Sequence, residues 1–175
     1  LASSVNSQCG PSVLFTDLQF VDQEFDARFS AVSRTYSYRI LNSPDLDPFL
    51  VDRAWHIPVK LDVNSMQLAS KHLIGEHDFS SFCKKPKLKS GDPPSLVRYV
   101  NSATWSSPNE TDLFFDVSAS SFCHQMVRSI VGTLVSVGLG KISHDYLPRL
   151  ISLADRQAAG EIAPPQGLIL ISVEY

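Results

Sequence analysis

The chain has 175 residues, 43% of them hydrophobic, a formal net charge of −3 and a near-zero mean hydropathy, which is the composition of a globular domain with a real core. No apolar run approaches the roughly 20 residues that span a bilayer, so a membrane helix is excluded. The slight acidic excess argues mildly against nucleic acid as partner, since its binders usually carry a basic excess, and the five histidines and three cysteines are too scattered for metal-ligand spacing.

In chain order, Leu1 to Pro11 reads as the tail of an element, broken at Gly10-Pro11. Val13, Phe15, Leu18 and Phe20 give 13–21 a strand-like flavour without clean alternation. After the cluster Phe25-Asp26-Ala27-Arg28-Phe29-Ser30, a clear strand runs from Arg34 to Leu41. There Tyr36, Tyr38 and Ile40 share one face and Arg39 points away. Prolines keep 44–58 irregular, with Trp55 as its anchor. Asp62 can cap a helix carrying Val63, Met66, Leu68, Ala69, Leu73 and Ile74, with Gly75 at its end and a tight loop at 77–82.

Next, Lys84, Lys85, Lys87, Lys89 and Arg98 face only Asp92 in sequence. Such a run is a solvated loop or a segment that tracks phosphates. Strands at Leu96 to Trp105 and Leu113 to Ala119 form a hairpin across a turn-rich loop. Met126, Val127, Ile130, Val131, Leu134 and Val135 then recur at helical spacing, with Ser120 or Ser121 as cap and Gly138 and Gly140 as stops. A further helix is expected within 143–154. The run Leu168 to Val173 reads as a buried or half-buried terminal strand. Strands adjacent in sequence with unevenly spaced helices predict an α+β fold, a mostly antiparallel sheet covered by helices on one face.

Arg128 falls on the shoulder of the central helix's apolar arc, with His124 on the same flank. A guanidinium there either snorkels to water or, if buried, requires a carboxylate partner. Cys123 and His124 are adjacent, and neighbouring helical residues point about 100° apart, so they make a poor nucleophile–base pair. Ser-Ser-Phe-Cys occurs at 80–83 and again at 120–123, too short to mean duplication. The cysteine usage fits a reducing, cytoplasmic setting by default.

Taken together, Phe25-Asp26-Ala27-Arg28-Phe29-Ser30-Ala31, Arg34-Thr35-Tyr36-Ser37-Tyr38, Gly75-Glu76-His77-Asp78-Phe79-Ser80-Ser81-Phe82, Phe122-Cys123-His124-Gln125-Met126-Val127-Arg128-Ser129-Ile130-Val131-Gly132 and Pro165-Gln166-Gly167-Leu168 occur in one order. That order resembles the TruA family of tRNA pseudouridine synthases over about residues 20 to 175. The resemblance implies a pseudouridine synthase-like fold, tRNA as partner, uridine-to-pseudouridine isomerisation in the anticodon stem-loop, a homodimer in the full-length enzyme, and neither metal nor organic cofactor.

By the same resemblance, Arg128 matches the arginine that pairs with the family's catalytic aspartate. Tyr36 matches the tyrosine that packs on the target base and is a candidate to take the proton from its C5. Arg28, Arg34, Lys84, Lys85, Lys87 and His124 are the RNA-binding candidates. The family's Gly-Arg-Thr-Asp-Xaa-Gly-Val-His segment does not occur in this sequence, and Asp17, Asp22 and Asp26 stand in the wrong surroundings to replace its aspartate. The expectation is therefore that residues 22–175 are the C-terminal half of such an enzyme, with 1–21 a connector from the preceding half and this chain alone inactive. The competing readings are a non-catalytic RNA-binding module and a small-molecule hydrolase using Cys123.

Overall fold

The computed structural model describes residues 1–84, 91 and 94–175. They divide into two compact units, 1–31 and 32–175.

In the first unit, a short helix α1 (Ala2–Cys9) ends at Gly10-Pro11. The Asn6 side chain holds the following segment by exchanging two hydrogen bonds with the Phe15 backbone, at 2.7 and 2.9 Å. The strand expected within 13–21 does not form; that stretch carries neither helix nor strand. Its apolar residues recur at uneven spacing and cannot line one face of a pleat. Further on, the Asp26 carboxylate accepts from the backbone N–H groups of Arg28 and Phe29. These bonds, the Phe29 one foremost, hold its carboxyl below the usual carboxylate range.

The second unit is a six-stranded sheet with helices on one face. Its centre is β1 (Ser33–Leu41), paired antiparallel with β5 (Asp112–Ala119) on one side and with β6 (Leu168–Glu174) on the other. Beyond β5 lie β4 (Val97–Ser106) and β3 (Gly75–Asp78), both antiparallel. The two-residue β2 (Trp55–His56) runs parallel to the end of β1, the single parallel pairing among the described residues. The α+β, mostly antiparallel architecture expected from the sequence is the one observed.

Alternation builds the core. Leu113, Phe115, Val117 and Ala119 on β5 are buried, as are Tyr38 and Ile40 on β1 and Val100 and Ala103 on β4. Arg39 points to the other face, where it pairs with Asp112 at 2.8 Å and lies over the Phe114 ring.

The helix α2 (Val63–Lys71) starts where expected: Asp62 accepts from the Ser65 backbone N–H and hydroxyl. Trp105 of β4 ties this helix to the sheet, its indole N–H donating to the Ser70 hydroxyl. Gly75 opens β3 rather than closing α2, and the tight loop expected at 77–82 begins only after Asp78, because Gly75–Asp78 pair with β4.

The long helix is α3 (Met126–Gly138), almost wholly buried. It begins later than the serines suggest: 120–125 form a turn, and Gln125, in the left-handed region at φ 68°, precedes the first helical residue. The chain leaves it through Gly140 at φ 69°, a conformation that suits glycine. A last helix, α4 (Leu147–Leu153), follows a 3-10 turn and carries Pro148 in its first turn, where a missing N–H costs nothing.

Two last segments complete the frame around α3 and β1. The segment 160–163 crosses α3 so closely that a Cβ on Gly132 would overlap the Glu161 carbonyl. In β6, Ile169, Leu170 and Ile171 are about half exposed, because this strand pairs with β1 alone among the described strands.

Candidate active site

Tyr36 sits near the start of β1, between Val117 of β5 and Leu170 of β6. The β1–β6 register slips by one residue between Thr35 and Tyr36, a bulge of the kind that re-aims a side chain. The Tyr36 ring meets Phe122 edge-on, with centroids 5.0 Å apart. Phe122 belongs to the turn that links β5 to α3, so the aromatic pair joins sheet and helix.

Arg128 lies in the first turn of α3. Its Nε donates to the Ala163 carbonyl at 2.6 Å, and the next carbonyl, Pro164, accepts from the Tyr38 hydroxyl at 2.6 Å. These two anchors fix the segment that turns through Pro165–Gly167 into Leu168. Burial pushes the Tyr38 phenol well above its ordinary range, with the Arg128 cation opposing that shift.

Tyr36, Arg128 and Leu168, together with the turn and helix start at 122–127, line a pocket of about 370 Å³. It brings together three residues singled out from the sequence: Tyr36, Arg128 and His124, the last of them exposed at the rim. Arg34 donates from Nη1 to the Ser120 carbonyl at the foot of the same turn. The Lys84 backbone N–H donates to the His124 carbonyl at 2.9 Å. Lys85 and Lys87 lie outside the described residues. Arg28 is in the first unit, its guanidinium over the Phe29 ring.

The carboxylate partner expected for Arg128 is not found: among the described residues no carboxylate lies within ion-pairing distance, and its recorded bond is to a backbone carbonyl. One nitrogen of the fork is thus used for structure. The two Nη atoms make no hydrogen bond to the described residues, and a planar fork of this kind suits a bidentate anion.

Three features escaped the sequence reading. Gln125 lines the pocket as a non-glycine residue at positive φ. Leu168 reaches the pocket from the far end of the chain. Cys83 is joined to Cys123 by a disulfide, leaving Cys9 as the free cysteine. The default reading of reduced thiols did not foresee that bond. The signal for it was present in the doubled Ser-Ser-Phe-Cys, whose two copies meet at the bridge.

A family model described as "tRNA pseudouridine synthase" matches residues 69–175. The tRNA pseudouridine synthase A of Methylacidiphilum infernorum (isolate V4) is 39% identical over all 175 residues, which span 67% of that relative. The chain belongs to the tRNA pseudouridine synthase family. The enzyme of the same name from Thermoanaerobacter sp. (strain X514) is 38% identical over the whole chain and 70% of its own length. That from Listeria monocytogenes serotype 4a (strain HCC23) is 38% identical over 93% of the chain and 64% of its own length.

The family match takes in α3 with Arg128, both bridged cysteines and β6. Tyr36 lies before it, in residues that the Methylacidiphilum pseudouridine synthase covers. The resemblance noted from ordered motifs is therefore borne out over the full chain. Among the described residues no group of three or more metal-ligating side chains forms, and no helix is long and apolar enough to cross a membrane.

Proposed function

We propose that this chain supplies one wall of the active site of a tRNA uridine-to-pseudouridine isomerase. The observation that carries the reading is that Tyr36 and Arg128, far apart in sequence and on different elements, line the same pocket. A uridine of the anticodon stem-loop is flipped out of its stack into this pocket, at a cost of a few kcal/mol per extruded base. Its N1–C1′ bond breaks, the ring turns, and C5 bonds to C1′; C5 loses a proton and N1 gains one, so the reaction is an isomerisation with no net change in atoms.

In this reading Tyr36 offers an aromatic face to the base and a phenol oxygen that takes the C5 proton. Arg128 turns its unused Nη groups to the catalytic aspartate, which comes from a segment outside these 175 residues and is held ionised and aimed by the fork. Arg28, Arg34, Lys84, Lys85, Lys87 and His124 contact the RNA backbone and the flipped nucleotide. Residues 22–175 form the C-terminal half of the enzyme, which works in the cytoplasm as a homodimer.

The test is tritium release from a tRNA transcript labelled at uridine C5, with the full-length enzyme and with the 175-residue chain. Release by the full-length enzyme and none by the chain alone is the expected result. Tight tRNA binding without release from either would instead identify a non-catalytic RNA-binding module.

A further inference from the structure

The Cys83–Cys123 bond stands at an informative place. Cys123 is part of the pocket wall, between Phe122, which holds Tyr36, and His124 at the rim. Cys83 is fully buried and ends a rigid turn: Phe79 and Phe82 are in the core, and the Ser81 hydroxyl donates to the Leu150 carbonyl of α4 at 2.7 Å. The bridge thus fastens the wall of the pocket to the core, and its Cα separation of 5.6 Å lies in the ordinary range for a disulfide. Without it, the direct polar link between the two segments among the described residues is the hydrogen bond from Lys84 N–H to the His124 carbonyl.

We propose that Cys83 and Cys123 form a reversible thiol–disulfide switch that sets the affinity of this pocket for RNA. The inference rests on the reading of the pocket given above. Access follows from the geometry: Cys123 faces the pocket and Cys83 is enclosed, so an incoming thiolate attacks Cys123 Sγ. The S–S bond breaks, Cys83 leaves as a thiolate and takes a proton, and a second small thiol resolves the mixed disulfide. Two small thiols are oxidised to one disulfide as the protein gains two thiols. The reverse reaction begins from a small-molecule disulfide such as oxidised glutathione.

In the bridged form, Phe122 to Gln125 are already ordered and Tyr36 is held against Phe122. In the reduced form, part of that ordering must be supplied when RNA binds, which weakens binding. The coupling is reciprocal: whatever factor the bond adds to RNA affinity, bound RNA adds to the stability of the bond.

The experiment measures the Kd for a tRNA transcript with full-length enzyme equilibrated in reduced or oxidised glutathione, with alkylation and mass mapping of Cys83 and Cys123 in each state. The expected result is a Kd about tenfold higher for the reduced enzyme, restored on reoxidation. Saturating tRNA is expected to lower the midpoint potential of the pair by about 30 mV, the equivalent of that tenfold change. A Cys83→Ser variant is expected to bind at the reduced level under both conditions. If that variant does not fold, the wild-type comparison decides alone.

Equal affinities in both states with an unmoved midpoint overturn the switch, as does full alkylation of both cysteines after treatment with oxidised glutathione. Absence of tRNA binding in either state overturns the reading of the pocket itself, and the switch with it.

Discussion

Arg128 and Ala163 bond to each other twice: the Arg128 Nε donates to the Ala163 carbonyl at 2.6 Å, and the Ala163 N–H donates to the Arg128 carbonyl at 3.1 Å. The second bond survives any side-chain replacement, so the crossing segment keeps one tether when the guanidinium is removed. Arg128→Met is therefore expected to leave tRNA affinity within a few-fold while lowering turnover by at least about 10², the scale of losing one preorganised electrostatic contact. Lysine cannot reach the carbonyl and fork a carboxylate together, so Arg128→Lys is expected to recover little. Tritium release and filter binding on the full-length enzyme check both; near-normal turnover in either variant removes Arg128 from the proposed role.

Tyr36 separates two functions that one side chain combines. Tyr36→Phe keeps the ring and its contact with Phe122 and deletes the oxygen. If the phenol takes the C5 proton, turnover falls by about 10²–10⁴ at unchanged Kd, the usual span for a lost general base. Tyr36→Ala also loses the aromatic contact, so its Kd rises as well. A Phe variant with wild-type turnover would leave Tyr36 with stacking alone.

Gly132 tests the packing that positions Ala163. An added methyl meets a backbone carbonyl, Glu161, which cannot swing aside as a side-chain tip can. Gly132→Ala is expected to cost about 3 kcal/mol, the upper part of the usual range for overpacking, and to lower activity because Ala163 and Leu168 move with the displaced segment. Denaturant unfolding reads the first effect; an unchanged midpoint would mean that the crossing relaxes freely.

Much of this was legible in residue order. The strict alternation of Leu113, Phe115, Val117 and Ala119 marks a strand with one buried face, and Asp62 ahead of an apolar helical stripe marks a capped start; both were read correctly because the signal is local. The failures are non-local. Ser120 and Ser121 looked like helix caps, yet the chain must first turn at Gln125 to bring Phe122 against Tyr36. Leu168 to Val173 reads as a buried or half-buried strand, since a continuous apolar run can have both faces covered; the strand forms, but Ile169, Leu170 and Ile171 stay about half exposed, with β1 alone as its described partner. The carboxylate expected beside Arg128 is not among the described residues, and a helix position cannot reveal that the Ala163 carbonyl would engage its Nε. The pocket itself depends on β1, α3 and β6 converging, which no single window of sequence encodes.

Tyr38 gives the site a pH signature. Its hydroxyl donates to the Pro164 carbonyl in a buried setting, and burial raises its pKa above that of the unfolded chain, with Arg128 opposing. A raised folded value means that the native state holds the proton more tightly. The contribution of Tyr38 is thus complete below its unfolded pKa of about 10 and is lost as pH rises beyond that, at about 1.4 kcal/mol per pH unit. Tyr38→Phe, which deletes the hydrogen bond, is expected to be about 1 kcal/mol less stable at pH 7.5. It does not titrate, so the difference from wild type should shrink and then reverse between pH 10 and about 11. The other four tyrosines are present in both proteins, and subtracting the two unfolding curves removes their shared titration. A difference that stays constant from pH 7.5 to 11 would show that the phenol ionises as easily in the fold as out of it, and that the Arg128–Ala163–Pro164–Tyr38 arrangement does not confine its proton.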